Sequence, residues 1–169
     1  MLDIGEFNLA MLILRLALGP VIAAHGYQKF FRGGKIDGTA GWFDSMGMKP
    51  GKIHAVLAAS TEIAAGILIL VGLLTSFGAA ALVGLMTVAW YTVHRTTGFF
   101  ILKEGWEYVF MLAIAGIVLA ILGPGEISVD SALGIDDDLN GYVGLAISTG
   151  LGIGAGLALL AGFFRPMDS

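Results

Sequence analysis

Two charged residues lie inside long apolar runs of this sequence, where an ionised side chain is costly. Arg15 falls within the run 8–31, and Glu62 within the run 53–74. A charge in the hydrocarbon of a bilayer is stabilised by pairing with another charge or by lining a polar path. If both runs are membrane helices, the two residues lie at similar depths. We therefore expect a buried Arg15–Glu62 ion pair that either fixes helix packing or responds to a proton or ligand.

The three histidines fall near the same ends of the apolar runs, among other polar and aromatic residues. The members of this predicted layer are His25, Gln28, Lys29, His54, His94, Arg95, Trp106, Glu107 and Tyr108. Imidazole titrates near neutral pH and both donates and accepts hydrogen bonds. Such a layer can bind a polar headgroup or a quinone ring, relay protons, or only anchor the helices at the interface.

A metal-binding site is a weaker interpretation of the same layer. His25, His94 and Glu107 are suitable ligand types. The sequence has no His-x-x-His or Glu-x-x-His pair, however, so we predict no metal site. From the layer as a whole we select His25, Gln28, Lys29, His94, Trp106 and Glu107 as candidate ligand-binding residues.

Five apolar segments must position these side chains. They are residues 8–31, 53–74, 76–95, 106–123 and 142–164. Crossing about 30 Å of hydrocarbon takes about 20 helical residues, which each segment approaches or exceeds. Only 13% of residues are charged, against about 25% in soluble domains. The sequence therefore predicts a single all-α membrane domain, residues 1–169, built as a polytopic transmembrane helical bundle in the lipid bilayer.

The basic residues predict the orientation of this bundle. Of the nine lysines and arginines, all except Arg15 lie beside the ends of the apolar segments. They fall at the connection after the first segment, at the connection after the third, or after the last segment. The loop 124–141 carries acids instead. Because positive residues remain on the cytoplasmic side, we expect a plasma-membrane protein with its amino terminus outside and its carboxyl terminus in the cytoplasm.

The first long loop, 32–52, alternates apolar and polar residues. This pattern is typical of a short helix in the membrane interface or of a loop that dips into it. We expect its 39–48 part to cap a polar pocket at the predicted layer. The residues of that pocket would be His25, Lys29, His94 and Glu107, with Trp42, Phe43 and Trp106 as an apolar wall.

The last apolar segment carries two small-xxx-small pairs, Gly150/Gly154 and Gly152/Gly156. Such pairs permit close contact between membrane helices. They predict packing either within the bundle or against a partner subunit or a second copy of the chain. The absence of cysteine excludes disulfides, thiolate metal sites and a thiol nucleophile, and the basic residues give no support to nucleic-acid binding.

Several short motifs, in order, resemble those of the DoxX family over about residues 9–135. They are LRLALG at 14–19, HGYQK at 25–29, EIAAG at 62–66, VGLLT at 71–75, GWEY at 105–108, and GPG at 123–125 followed by Ser128 and Asp130. The resemblance implies a four-helix membrane core, residues 1–135, to which 142–164 adds a fifth transmembrane helix.

The resemblance also implies a link to oxidoreductase systems. Relatives form the membrane part of a thiosulfate:quinone oxidoreductase, or associate with redox-stress complexes that contain superoxide dismutase and a sulfurtransferase. The positions that match the family motifs are Arg15, His25, Gln28, Lys29, Glu62 and Glu107.

Two classes of function follow from these patterns. The first is a redox-associated membrane subunit that binds a quinone- or lipid-like ligand near the cytoplasmic face and docks a protein partner. The alternative is a non-redox scaffold or small transporter that uses the Arg15–Glu62 pair. The chain has no cysteine and no strand–glycine–helix context for a dinucleotide. We therefore expect an accessory subunit rather than a self-sufficient enzyme.

Overall fold

A computed structural model describes residues 3–165, most of which are helical. The elements in order are α1 Ile4–Phe31, α2 Lys35–Met46, α3 Gly51–Val71, α4 Thr75–Ala89, α5 Glu107–Leu122, α6 Val129–Leu133, α7 Asp136–Leu139, α8 Gly141–Leu145 and α9 Gly152–Phe163. A π-helical turn, Trp90–His94, continues α4, and a second, Ala146–Leu151, joins α8 to α9.

Within residues 3–165, four continuous helices are long and apolar enough to cross a membrane. They are Ile4–Phe31, Gly51–Val71, Thr75–His94 and Gly141–Phe163. The predicted span 106–123 is the shorter apolar helix α5, whose 16 residues cover about 24 Å. It ends where Gly123 adopts a left-handed φ of 79° before Pro124. The chain is a multi-pass helical membrane bundle, as its composition predicted.

Helices α1 and α3 form the tightest antiparallel pair, because glycines let their backbones approach. A Cβ atom added to Gly19 would lie 2.7 Å from the carbonyl oxygen of Gly66, and Gly26 faces the carbonyl of Ala59 in the same way. Both contacts exclude any larger side chain. They fix the register of α1 against α3.

Helix α9 packs parallel to α4 through one of its two glycine pairs. A Cβ on Gly152 would lie 2.7 Å from the oxygen of Ala80, and one on Gly156 would lie 3.1 Å from the oxygen of Gly84. In contrast, a Cβ on Gly150 or Gly154 would meet no heavy atom within 4 Å. The pair Gly152/Gly156 therefore packs within the bundle. A partner at the pair Gly150/Gly154 stays a prediction.

The connections give the bundle two ends of opposite charge. The basic face carries Arg32, Lys35, Lys49, Lys52, Arg95, Lys103 and Arg165, and the acidic face carries Glu126, Asp136, Asp137 and Asp138. At the basic face the end of α9 meets the α2–α3 connection: Arg165 N–H donates to the oxygen of Gly47 at 2.8 Å. The side of the membrane that each face occupies stays a prediction.

The segment predicted as an interfacial helix or a dipping loop is the 12-residue helix α2. It ends at Gly47, which has a left-handed φ of 97°. The Asp44 side chain then accepts a hydrogen bond from the Gly51 N–H at 2.7 Å and so caps the start of α3. This short connection holds α2 across the basic-face end of the bundle.

Candidate functional site

The structure corrects the predicted Arg15–Glu62 ion pair. The guanidinium of Arg15 donates instead to the carbonyl of Leu70 at 3.0 Å and to that of Ile127. Glu62 accepts from Lys29, whose Nζ lies 2.7 Å from each carboxylate oxygen.

The reason is the register of the two helices. The prediction assumed that α1 and α3 begin level at the membrane surface. Helix α1 begins at Ile4 and extends past the end of α3 at the acidic face. The glycine contacts place Arg15 opposite Leu70, which lies about 12 Å along α3 from Glu62. Lys29, about four turns further along α1, reaches Glu62 instead.

Arg15 belongs to a buried network that closes the acidic face. Its side chain is 1% exposed, and Asp130 nearby is fully buried. Asp130 accepts hydrogen bonds from the backbone N–H of Leu74 at 2.6 Å and from Thr75 through its N–H and its hydroxyl. These bonds cap α4 and tie it to the 126–130 segment, so Arg15 and Asp130 hold helix ends together.

A cavity of about 440 Å³ lies between α3, α4 and α9. It follows α4 and the π-helical turn that continues it from Phe77 to Val93, about 24 Å of helix. Helices α3 and α9 form its sides and meet at the basic face, where the ring of His54 packs edge-on against Phe163 at 4.9 Å. Most of its lining is aliphatic, as is usual for ligand pockets.

Lys29 and Glu62 place an ion pair on the wall of this cavity. Their side chains are 20% and 11% exposed. The ammonium group of Lys29 has three N–H donors, and the two carboxylate oxygens of Glu62 accept from it. One N–H of Lys29 therefore remains for another acceptor. The carboxylate likewise keeps lone pairs that can accept. The pair can therefore offer both a donor and an acceptor to a bound molecule.

Aromatic side chains of α2 cover the basic-face end of the cavity. Trp42 and Phe43 stack with their ring centroids 5.3 Å apart and an angle of 24°, and both line the cavity together with Met48. Three residues of the segment predicted as a cap therefore line the same cavity as Lys29. Thr61 and Thr92 supply the hydroxyl groups of the lining.

The other predicted ligand-binding residues lie outside this cavity. The Nε2 atom of His25 is 3.4 Å from the hydroxyl of Tyr108, between α1 and α5. Gln28 is exposed on the last turns of α1. The predicted layer is thus divided: Lys29 and His54 line the cavity, whereas His25 and Gln28 do not.

The α4–α5 connection holds the remaining three. The Nδ1 atom of His94 lies 2.5 Å from the carbonyl oxygen of Glu104, and Glu107 accepts from the N–H of Ile101 at 2.7 Å. Trp106 packs edge-on against Phe99. The structure does not bring these residues together with Lys29 into the predicted pocket, because each turns back onto its own connection. A role for them in ligand binding stays a prediction.

Fold and cavity define a class of protein, a multi-pass helical bundle with a lateral apolar cavity that contains one ion pair. Residues 10–95, which make up half of the chain, match the DoxX family. The chain belongs to the DoxX family. The match covers α1 to α4 and ends before α5, so α9, one wall of the cavity, lies outside the matched region.

One curated relative is a protein of Haemophilus influenzae described as an uncharacterized protein. It is 29% identical over 84 residues, which are 50% of this chain and 56% of the relative. The chain therefore spans just over half the length of that relative. No solved structure matches the chain.

Proposed function

We propose that this DoxX-family protein binds a neutral, quinone- or lipid-like amphiphile in the cavity between α3, α4 and α9. Lys29 and Glu62 are the polar anchor, and the apolar lining along α4 holds the chain of the ligand. The protein then acts as an accessory membrane subunit of a redox system. The observation that carries the proposal is an ion pair on the wall of an otherwise apolar cavity.

The size and the polarity of the cavity support a ligand. A volume of about 440 Å³ lies within the usual range for small-molecule sites, about 300–1,000 Å³. Burying an ion pair costs desolvation energy that an apolar replacement avoids. A pair with only a structural role needs no adjoining space. Here the pair adjoins an elongated apolar space, as the head and tail of an amphiphile require.

The signs of the two charges favour an uncharged head group. A phosphate would gain from Lys29 but would be repelled by Glu62, which is held within hydrogen-bonding distance of the same ammonium. A quinone carbonyl can accept from Lys29, and a quinol hydroxyl can donate to Glu62. The stacked rings of Trp42 and Phe43 provide a surface for a planar ring.

The test is the content of the purified protein. Solvent extracts of detergent-purified protein are compared by ultraviolet spectroscopy and mass spectrometry for Lys29→Met, Glu62→Gln and the unaltered chain. We expect a co-purified quinone, or another neutral lipid, that both variants lose. The ultraviolet spectrum distinguishes a quinone from another neutral lipid, because only the quinone changes its absorbance on borohydride reduction.

The exposed pair Lys52–Asp37 supplies the matched control. Its atoms lie 3.3 Å apart and its side chains are 74% and 86% exposed. Lys52→Met and Asp37→Asn remove the same kinds of charge without touching the cavity, so they should retain the ligand. An unaltered protein that purifies without ligand, or equal retention in all variants, would contradict the proposal and favour a scaffold.

The alternative function was a transporter that uses an Arg15–Glu62 pair. That pair does not form, so we do not propose this site. A homo-oligomer or a protein partner remains part of our proposal. The outward pair Gly150/Gly154 is the surface we assign to it, because these glycines leave room for a second helix.

A further inference from the structure

The side walls of the cavity end in exposed apolar residues. Leu57 of α3 lines the cavity and is exposed. Leu151, which directly precedes α9, and Ala155 of α9 also line it and are exposed. Between the two walls, Ala81 and Leu85 of α4 form a floor that is only half-buried. The lining of an enclosed cavity is buried, so this space opens to the side of the bundle between α3 and α9.

The side opening, between Leu57 and Leu151, lies within the length of the helices that cross the membrane. Leu57 is about 9 Å from the start of α3 at the basic face, and Leu151 is about 18 Å from the end of α9 at the same face. The hydrocarbon of a bilayer is about 30 Å thick. The side opening therefore faces lipid tails rather than water.

The end of the cavity at the basic face is closed by contacts between distant parts of the chain. Met48 forms a β-bridge with Phe164, and the ring of His54 packs edge-on against Phe163. The stacked aromatic rings of α2 lie at the same end. A ligand that came from the water at this end would have to break these contacts, whereas the side opening requires no such change.

We propose that the ligand enters and leaves the cavity sideways through this opening, directly from the hydrocarbon of the bilayer. The inference rests on the proposed function, because it names the route and the class of ligand for the same cavity. That class is a membrane-dissolved amphiphile whose chain extends through the side opening into the bilayer. Contacts of the head group with Lys29 and Glu62 then set the affinity, and the length of chain beyond the cavity does not.

Bulky groups attached at the side opening test this route, because the chain has no cysteine of its own. Leu57→Cys and Leu151→Cys each place one thiol there, and N-cyclohexylmaleimide adds an apolar ring to it after purification. Detergent-purified protein loaded with a decyl-substituted benzoquinone is mixed with an excess of quinone-free micelles. Because Trp42 lines the cavity, the bound quinone quenches its fluorescence, and recovery of the part of the quenching that Trp42→Phe removes reports release.

We expect the adduct at either position to slow release, because an obstacle at the opening hinders passage in both directions. Compared with the same variant before modification, release should be about 10-fold slower, and the equilibrium affinity should change by less than about twofold. Each comparison uses one folded protein with and without the added ring, so the result does not depend on how well the substitution is tolerated.

Ile67→Cys on α3 and Leu157→Cys on α9 are the matched controls. The control residues are 50% and 53% exposed, and Leu57 and Leu151 are 46% and 54% exposed. Ile67 and Leu157 do not line the cavity, so their adducts should leave the rate of release unchanged.

The length of the ligand chain gives an independent measurement. A benzoquinone with a long polyprenyl chain should bind within about threefold of the decyl compound at equal mole fraction, since an enclosed pocket would have to exclude the surplus chain. Equal release rates with rim and control adducts, or loss of binding with the longer chain, would overturn the side route and leave the cavity as a ligand site. An unaltered protein whose quenched fraction matches that of Trp42→Phe would overturn both proposals.

Discussion

Arg15 and the Lys29–Glu62 pair are stabilised in two different ways. Arg15 directs its planar fork at backbone carbonyls of α3 and the 126–130 segment, where a guanidinium can serve several acceptors at once. Lys29 extends a flexible chain from the end of α1 to Glu62. The first arrangement closes a helix junction, whereas the second leaves charged atoms beside a cavity. We therefore interpret Arg15 as a structural charge and Lys29 as a candidate functional one.

The Lys29–Glu62 pair should be energetically coupled. Lys29→Met or Glu62→Leu alone leaves a charge without its partner, which costs about 3 kcal/mol in a largely dry site. The double variant should recover part of this loss, because no unpaired charge remains. Unfolding in detergent by denaturant measures all three free energies. The control is the Arg15→Leu and Glu62→Leu cycle, for which additive losses are expected since the residues do not touch; additive losses in the Lys29 cycle would exclude the coupling.

Asp130 should contribute stability without affecting the ligand. It is fully buried and accepts three hydrogen bonds at the start of α4. Asp130→Ala leaves those donors unsatisfied and should cost about 2 kcal/mol of unfolding free energy. Asp138→Ala, in the exposed acidic loop, should be nearly neutral. Denaturant unfolding and ligand content of both variants provide the measurement, and an undiminished stability of Asp130→Ala would refute the capping role.

At the scale of helices, four of the five predicted spans are confirmed as helices long and apolar enough to cross a membrane, and the fifth is the shorter apolar helix α5. The sequence did not predict the register of one helix against another. Hydropathy sets the spans, and the Gly123–Pro124 break ends α5 where it was expected to end. The register of α1 against α3 depends on the contact of Gly19 with Gly66. Glycine spacing in one helix does not specify its partner glycine in another. This missing register is why Glu62 was paired with Arg15 rather than with Lys29.

The cavity was beyond prediction for a related reason. Residues of α9 pack on α4 and form the wall of the cavity opposite α3. Either of the two glycine pairs in the last segment satisfied the packing pattern. The choice of Gly152 and Gly156 depends on the shape of α4 at Ala80 and Gly84. Long-range shape of this kind has no signature in local sequence.

The two glycine pairs of the last span should therefore respond differently to substitution. Gly152→Leu places side-chain atoms against the backbone of α4, which displaces α9 and opens the cavity. We expect a loss of about 1–3 kcal/mol and of the co-purified ligand. Gly150→Leu, two residues away and facing outward, should keep both. Size-exclusion chromatography with light scattering then shows whether Gly150→Leu changes the oligomeric state, and equal damage by both substitutions would contradict the assigned packing.

In the whole molecule, the charged groups of the cavity lie toward the end of the bundle that carries the basic face. The charged groups of the cavity, on Lys29 and Glu62, lie nearer the basic face than its lining residues at the start of α4, Phe77, Ala80 and Ala81. Under the proposed function, an amphiphile bound in this direction has its head group toward the basic face, where we expect its partner subunit. The functional orientation of the ligand therefore depends on which side of the membrane the basic face occupies.

We predict that the basic face is cytoplasmic. Seven of the nine lysines and arginines lie at the basic face. Retention of such residues on the cytoplasmic side orients most multi-pass proteins. The chain has no cysteine, so Lys35→Cys and Asp137→Cys each introduce a single reporter thiol. Both positions are exposed, on opposite faces of the bundle. An impermeant maleimide should label Asp137→Cys in intact cells and Lys35→Cys only after permeabilisation. The reverse pattern would invert the topology and place the head group of the ligand outside, where a cytoplasmic redox partner could not reach it.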